Sequence, residues 1–275
     1  KFQYNGKKLI ANIGSNIGIS NYDQVDSLGK EVRHFRYLNL FPTARINYKF
    51  AAQRSMNFSY IGSPQPPGIE QIQPLVENAN PLFIKIGNPS LKQSFRHNMS
   101  VFFTDFKMLT GRSIWVNASF TPVQDAIVTN QVTNNGVTVQ QFINTKGNYN
   151  YFFYGSYGFK LKKLDMNAGL NLNANGGRFV NFVNFEKNTS DNTSFGLGIY
   201  ASKYKEEKFD LNINSNFNFN HSISSINPVK NNFISMEHHL NGSIFITKKF
   251  QFNSNLNIYL REKVEAFDGN NNIAV

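Results

Sequence analysis

Phe209-Asp210-Leu211-Asn212-Ile213-Asn214-Ser215-Asn216-Phe217-Asn218-Phe219-Asn220 is the stretch on which the fold turns. Its odd positions are apolar except Ser215, and its even positions are Asp or Asn throughout. A period of two places the two sets on opposite faces of one β-strand. Asn is a poor strand former. An Asn row therefore survives in a strand only where the amides meet water or polar partners while the other face is covered.

The alternation extends outward from this stretch over most of the chain. On one side lie Met166–Ala174 and Phe195–Ala201, with Asn167, Gly169, Asn171 and Asn173 on the alternate positions of the first. On the other lie Met236–Ile246 and Phe250–Leu260, the latter with Asn253, Asn255 and Asn257. Earlier in the chain, Leu9–Ile19, Leu38–Phe50, Met56–Tyr60, Phe95–Phe103, Ile114–Phe120 and Tyr149–Phe159 follow the same rule. These are eleven candidate strands, most of them longer than the 5 to 6 residues typical of soluble proteins. Long strands with an apolar face and an Asn/Gly/Ser face match a transmembrane barrel better than a soluble sheet. The solvated side of a soluble sheet carries charge more often.

Composition agrees. The 275 residues contain 27 Phe, 12 Tyr, one Trp and 41 Asn, with only 16% charged residues and no Cys. An ordinary globular domain has about 25% charged residues, and a disordered chain would lack these aromatics. The absence of Cys excludes a disulfide scaffold and thiolate metal sites. The longest charge-free run, Leu211–Val229, is mostly Asn, Ser and Phe, so no membrane helix of about 20 apolar residues is expected.

The connections alternate between short and long. Short turns are expected near Lys49–Ser55, Asp105–Arg112, Lys160–Asp165, Lys203–Lys208 and Thr247–Lys249. Longer links are expected at Ser20–Phe35, Ile61–Ser94, Thr121–Asn148, Asn175–Thr193 and His221–Asn232. Short turns at one rim and long loops at the other are the layout of outer-membrane barrels. The net charge of +11 has a place in this scheme, because Lys49, Arg54, Lys107, Arg112, Lys160, Lys162, Lys163, Lys203, Lys205, Lys208, Lys248 and Lys249 lie in or beside the short turns. Turn solvation explains these charges, and contact with anionic lipid phosphates is the sharper alternative. Nucleic acid is not an expected partner, since the aromatics sit on the apolar face and the charges at a rim.

No catalytic, cofactor-binding or metal site is expected, and no enzyme. Neighbouring His238 and His239 point to opposite faces of a strand, His97 falls on the apolar face, and Arg96 on the other. Glu237 and His239 form the one pair on a shared polar face with acid/base spacing, read as an ion pair or a solvated wall. No P-loop, GxSxG, HExxH or EF-hand pattern occurs.

Ser59–Ser94 carries a more specific signal. Ile72-Gln73-Pro74, Asn80-Pro81-Leu82 and Gly87-Asn88-Pro89-Ser90-Leu91-Lys92, preceded by Tyr37-Leu38-Asn39-Leu40-Phe41-Pro42, resemble a stretch of Bacteroidetes TonB-dependent receptors and the related outer-membrane β-barrel family. Gln93 stands where those proteins usually have Pro. Pro64, Pro66, Pro67, Pro74, Pro81 and Pro89 are expected to block ladder pairing and to make the link an ordered loop over the rim.

The resemblance implies an all-β antiparallel transmembrane barrel of which residues 1–275 are a part, about 11 strands of 22. It implies a plug domain and terminal aromatic strand outside this chain, with residues 270–275 inside an outer loop. It also implies outer-membrane lipid as surroundings, TonB as a partner through the absent regions, and a possible surface lipoprotein partner. Function would be ligand uptake, with Asn171, Asn173, Asn214, Asn216, Asn255 and Asn257 facing the plug or water. A non-transporting barrel that serves as structure or binding platform, and a secreted β-sandwich adhesin, are the alternatives.

Overall fold

The computed structural model of the chain describes residues 1–25, 32–73, 76–228, 231–247, 250–264 and 270–274. The strands are β1 (Phe2–Asn5), β2 (Leu9–Val25), β3 (Val32–Ala51), β4 (Arg54–Gln65), β5 (Val76–Asn80), β6 (Phe83–Ile86), β7 (Ser94–Lys107), β8 (Arg112–Gln124) and β9 (Ala126–Asn134). They continue as β10 (Val137–Thr145), β11 (Asn148–Leu161), β12 (Met166–Val183), β13 (Glu186–Lys205), β14 (Phe209–Ser224), β15 (Asn231–Thr247), β16 (Phe250–Arg261) and β17 (Asn270–Ala274). Among the described residues the one α-helical turn is α1 (Ile69–Ile72). All eleven strands expected from alternation are present, as β2–β4, β7, β8 and β11–β16.

Thirteen strands form a continuous antiparallel wall in the order β1-β2-β3-β4-β7-β8-β11-β12-β13-β14-β15-β16-β17. Among the described residues no ladder joins β1 to β17, so the wall is an open sheet. Two wall strands exceed the expected eleven. Phe2–Asn5 pairs with Ile10–Ile13 of β2. Asn270–Ala274, expected inside an outer loop, instead pairs with Asn257–Arg261 of β16. Four or five residues show too little alternation to reveal a strand, whereas a neighbouring ladder recruits them readily.

The rims alternate as expected. Tight turns at Gly6–Lys8, Ala52–Gln53, Met108–Gly111, Lys162–Asp165 and Glu206–Lys208 share one rim, where neighbouring turns are tied by bonds such as Lys49 N to Lys8 O, 2.7 Å, and Phe106 N to Gln53 O, 2.9 Å. Lys248 and Lys249 lie outside the described residues. The longer connections at the other rim are shorter than alternation suggested, because the strands outrun their apolar stripes. The link expected over Asn175–Thr193 is ladder on both sides of a turn at Asn184 and Phe185, both at positive φ. Similarly, β2 runs to Val25, β3 starts at Val32, and β14 reaches Ser224. Once the wall leaves the apolar layer both faces are polar, and the alternation that marks a strand vanishes.

The Pro-rich link is ordered, as expected, though not ladder-free. Pro64 sits in β4 opposite Phe95. Its missing N–H is tolerated because the β3–β4 ladder ends at Ile61, leaving β4 with one partner there. Pro74 lies outside the described residues. Beyond it, β5 and β6 join the β9–β10 hairpin from the next loop, β6 running parallel to β10. β9 then meets β12 at Phe182 and Val183, also in parallel. These four strands form a small sheet over the loop rim.

Burial separates the two faces of the wall. Its apolar stripe is the exposed one: Leu170, Leu172, Phe195, Leu197, Ile199, Ile213, Phe217, Phe219 and Ile244 all present their side chains outward. The buried residues of the apolar core among those described are Ile72, Leu91, Ala126, Val128 and Val180, of which Val180 is fully buried. They belong to the loop sheet or the segments and wall strand it touches. A wall whose large apolar residues are exposed along every strand lacks the core of a soluble sandwich and matches a lipid-facing surface.

Candidate functional site

The polar face of the wall is built from interlocking Asn and Gly. Asn171, Gly198 and Asn216 stand side by side on β12, β13 and β14, and Asn173, Gly196 and Asn218 do so one step along. A methyl group on Gly196 would overlap the amides of Asn173 and Asn218, and one on Gly198 the amide of Asn216. The glycines are the slots into which neighbouring amides lean. Tyr154 Oη adds a bond to Asn171 Oδ1 at 3.2 Å.

A second row runs Gly158, Gly169, Tyr200, Asn214, His239 and Asn257 across β11 to β16. The Tyr200 ring lies over Gly169, where a Cβ would overlap it, and its hydroxyl reaches Gly158. An aromatic ring thus shields the backbone that two glycines leave bare. His239 Nδ1 stands 2.6 Å from Asn257 Oδ1, its ring 5.6 Å from Tyr259, and its Nε2 4.0 Å from Glu237 Oε2. The structure thus brings Asn171, Asn173, Asn214, Asn216 and Asn257 to one face, with Asn255 on the same face of β16. His238 lies on the other face beside Ser215, 3.0 Å, and Phe217. His97 also keeps to the apolar side, 3.0 Å from Tyr60 Oη. Among the described residues no three His, Asp or Glu gather in metal-binding geometry.

Two parts of this face were not legible in the sequence. The first is a cleft of about 560 Å³ at the loop rim, between the polar face (Arg96, Thr121, Asn150) and the overhanging loops (Gln71, Ala126, Ile127). Its roof comes from segments 55 residues apart in the chain, Gln71 and Ala126, which no local pattern reports. The second is the set of amide oxygens with no protein partner: Asn39 Oδ1 and Asn214 Oδ1 are buried and accept no bond from the described wall.

Charge is confined to the ends of the apolar stripe. At the turn rim Asp105 Oδ2 accepts from Arg54 Nη2 at 2.9 Å and Arg112 Nη2 at 2.6 Å. Towards the loop rim Arg178 holds Asp191 through two bonds, Nε to Oδ1 at 2.7 Å and Nη2 to Oδ2 at 2.9 Å. Ala168 and Arg178 share one face of β12, ten residues apart. At about 3.3 Å per residue and a tilt near 40°, the layer between them is about 25 Å tall. That is the apolar height of an outer-membrane barrel. A signal for the Asp105 cluster was present in the sequence: a single acid among Arg54, Lys107 and Arg112 at adjacent short turns.

No curated protein matches the chain. A family model described as outer membrane protein beta-barrel family matches residues 2–261. Strand pattern, exposed apolar layer and this match agree, and the chain belongs to that outer-membrane β-barrel family.

Proposed function

We propose that this outer-membrane wall is part of a TonB-dependent receptor-type transporter, lining the path of a ligand taken up from outside. The supporting observation is the continuous Asn/Gly face that carries Asn171, Asn173, Asn214, Asn216 and Asn257, a polar surface suited to hydrogen-bonding another folded chain such as a plug. The motif-bearing loop adds support through its resemblance to those receptors.

A larger barrel, of 22 strands as the resemblance implies, fits the open wall. β1 and β17 both run from the loop rim to the turn rim. Direct closure would therefore be parallel, whereas the usual bacterial barrel is antiparallel throughout. Open edges in lipid would strand backbone donors and acceptors, which supports a reading with further strands beside β1 and β17. No chemistry is assigned to the wall itself.

One observation favours the non-transporting alternative: the loop motif spends its polar groups on the loop's own architecture rather than on a ligand. The deciding experiment is binding of the full-length protein, extracted from outer membranes, to an immobilised periplasmic domain of TonB. Retention is expected. Failure to bind, by protein that migrates as a folded barrel, overturns the transport reading and leaves a structural or partner-binding barrel, a surface lipoprotein being one candidate partner.

A further inference from the structure

On the lipid-facing stripe, charge first appears at Arg54, Asp105, Lys107 and Arg112. We propose that this cluster is a binding site for the phosphate of an anionic glycerophospholipid. The inference rests on the outer-membrane location and not on transport.

The geometry is that of a preorganised anion clamp. Arg54 lies opposite Asp105, and Lys107 opposite Arg112, on three neighbouring strands. Both guanidinium groups meet the same carboxylate oxygen, at 2.9 and 2.6 Å. Asp105 is buried while Arg54 and Arg112 stay 44% and 27% exposed, so the acid fixes the two forks and leaves part of each open at the surface, although Arg112 Nε itself is buried without a protein partner. A guanidinium has five N–H donors in a planar fork suited to phosphate oxygens. Each spends one on Asp105. Lys107 lies two residues on from Asp105, on the same face of β7. Three cations against one anion leave the cluster at +2.

Its surroundings fit a lipid rather than a soluble anion. One step into the apolar layer Met56 lies opposite Phe103, and Phe50 packs edge-on against the same ring at 6.3 Å. These would receive the first acyl methylenes. Beyond the cluster, Met108 and Leu109 in the β7–β8 turn are 71% and 97% exposed. Apolar residues on either side of a charged band place it at the level of the headgroups. The turn rim of such barrels faces the periplasm, so the lipid would come from the inner leaflet.

The test uses full-length protein in a neutral detergent with equimolar phosphatidylglycerol and phosphatidylcholine, and reads retained lipid by native mass spectrometry. Preferential retention of phosphatidylglycerol is expected. Arg54→Gln and Arg112→Gln should each weaken that preference about five-fold. Lys162→Gln/Lys163→Gln, which removes two charges at another turn, should leave it unchanged. Because an orphaned Asp105 could prevent folding, the triple variant Arg54→Gln/Asp105→Asn/Arg112→Gln removes acid and bases together. Folded triple variant with the wild-type preference overturns the site. An equal loss in the Lys162/Lys163 variant also overturns it, since general rim charge would then be the cause. Complete displacement of the lipid by millimolar inorganic phosphate would show a soluble-phosphate site and overturn the lipid assignment.

Discussion

At Gly87 a methyl group would overlap the Gln73 backbone, and the next residue, Asn88, holds three segments together. Its N–H donates to Gln71 O at 2.6 Å, its Nδ2 to Phe142 O in β10 at 2.8 Å, and its Oδ1 accepts from Ser90 N at 3.0 Å. The motif that carries the family resemblance is therefore a fold device: Gly for close approach, Asn for stapling, Leu91 for burial. Asn88→Ala removes the side-chain bonds to Phe142 and to Ser90, whose N–H and Oγ both donate to Oδ1, and should cost the loop about 2 kcal/mol. Hydrogen exchange should then quicken across Phe83–Gln93 while the wall keeps its melting temperature, and unchanged exchange would refute the staple. A different prediction concerns Asp165, in the turn before β12. A hydrogen bond from Lys160, 2.7 Å away, holds its carboxyl below the usual range, helped by the charges of Lys160, Lys203 and Lys205. A depressed carboxyl stabilises the folded state above its unfolded value, about 3.9, and the gain disappears as pH falls through the folded value. Wild type should thus exceed Asp165→Asn slightly in thermal stability at pH 7, and the two should converge below pH 4. Since both partners are exposed, the difference is small.

Among the elements, the outer sheet β5-β6-β10-β9 is held apart from the wall's logic. It owns two of the buried apolar residues, Ala126 and Val128, and Val180 of β12 is its anchor, fully buried and close to Gly147. Val180→Ala deletes two methyl groups at about 0.8 kcal/mol each and leaves a cavity. The expected cost is about 2 kcal/mol, read as faster exchange in β9 and β10 without loss of the wall. A global loss of stability would instead make the outer sheet part of the wall's cooperative unit. What could be read in advance follows the same division. The wall strands were legible because lipid on one side and polar groups on the other impose strict alternation, as from Leu211 to Phe219. The outer sheet was not, because Val137–Thr145 is half-buried on both faces and carries no such contrast. The extensions of β12 and β13 past Ala174 and Phe195 were hidden for a related reason, both faces having left the apolar layer. Of the candidate site, the shared face of the Asn rows was readable from period two. The cleft behind Arg96 was not, since its parts meet only through the loop fold.

For the molecule as a whole, the deciding property is that the wall is apolar where a soluble protein is polar, and that its most crowded positions are Asn and Gly. Adjacent residues on one strand make this testable, because they share depth and differ only in face. Phe217 points outward from the middle of β14 among Leu197, Phe195 and Phe219, and Asn216 points to the opposite face beside Gly198. In a bilayer Phe217→Lys places a charge in hydrocarbon and should cost about 2 to 4 kcal/mol. Asn216→Lys puts the same charge on the polar face, where water and amides solvate it, and its cost should be limited to crowding at Gly198. Refolding both variants into phosphatidylcholine vesicles and titrating with urea gives the comparison directly. The outward variant should unfold at clearly lower urea, and the inward one near wild type. If Asn216→Lys proved the more damaging, the faces would be reversed, with Asn packed inside and Phe exposed by accident of an open sheet. Lipid would then not be the solvent of the apolar stripe.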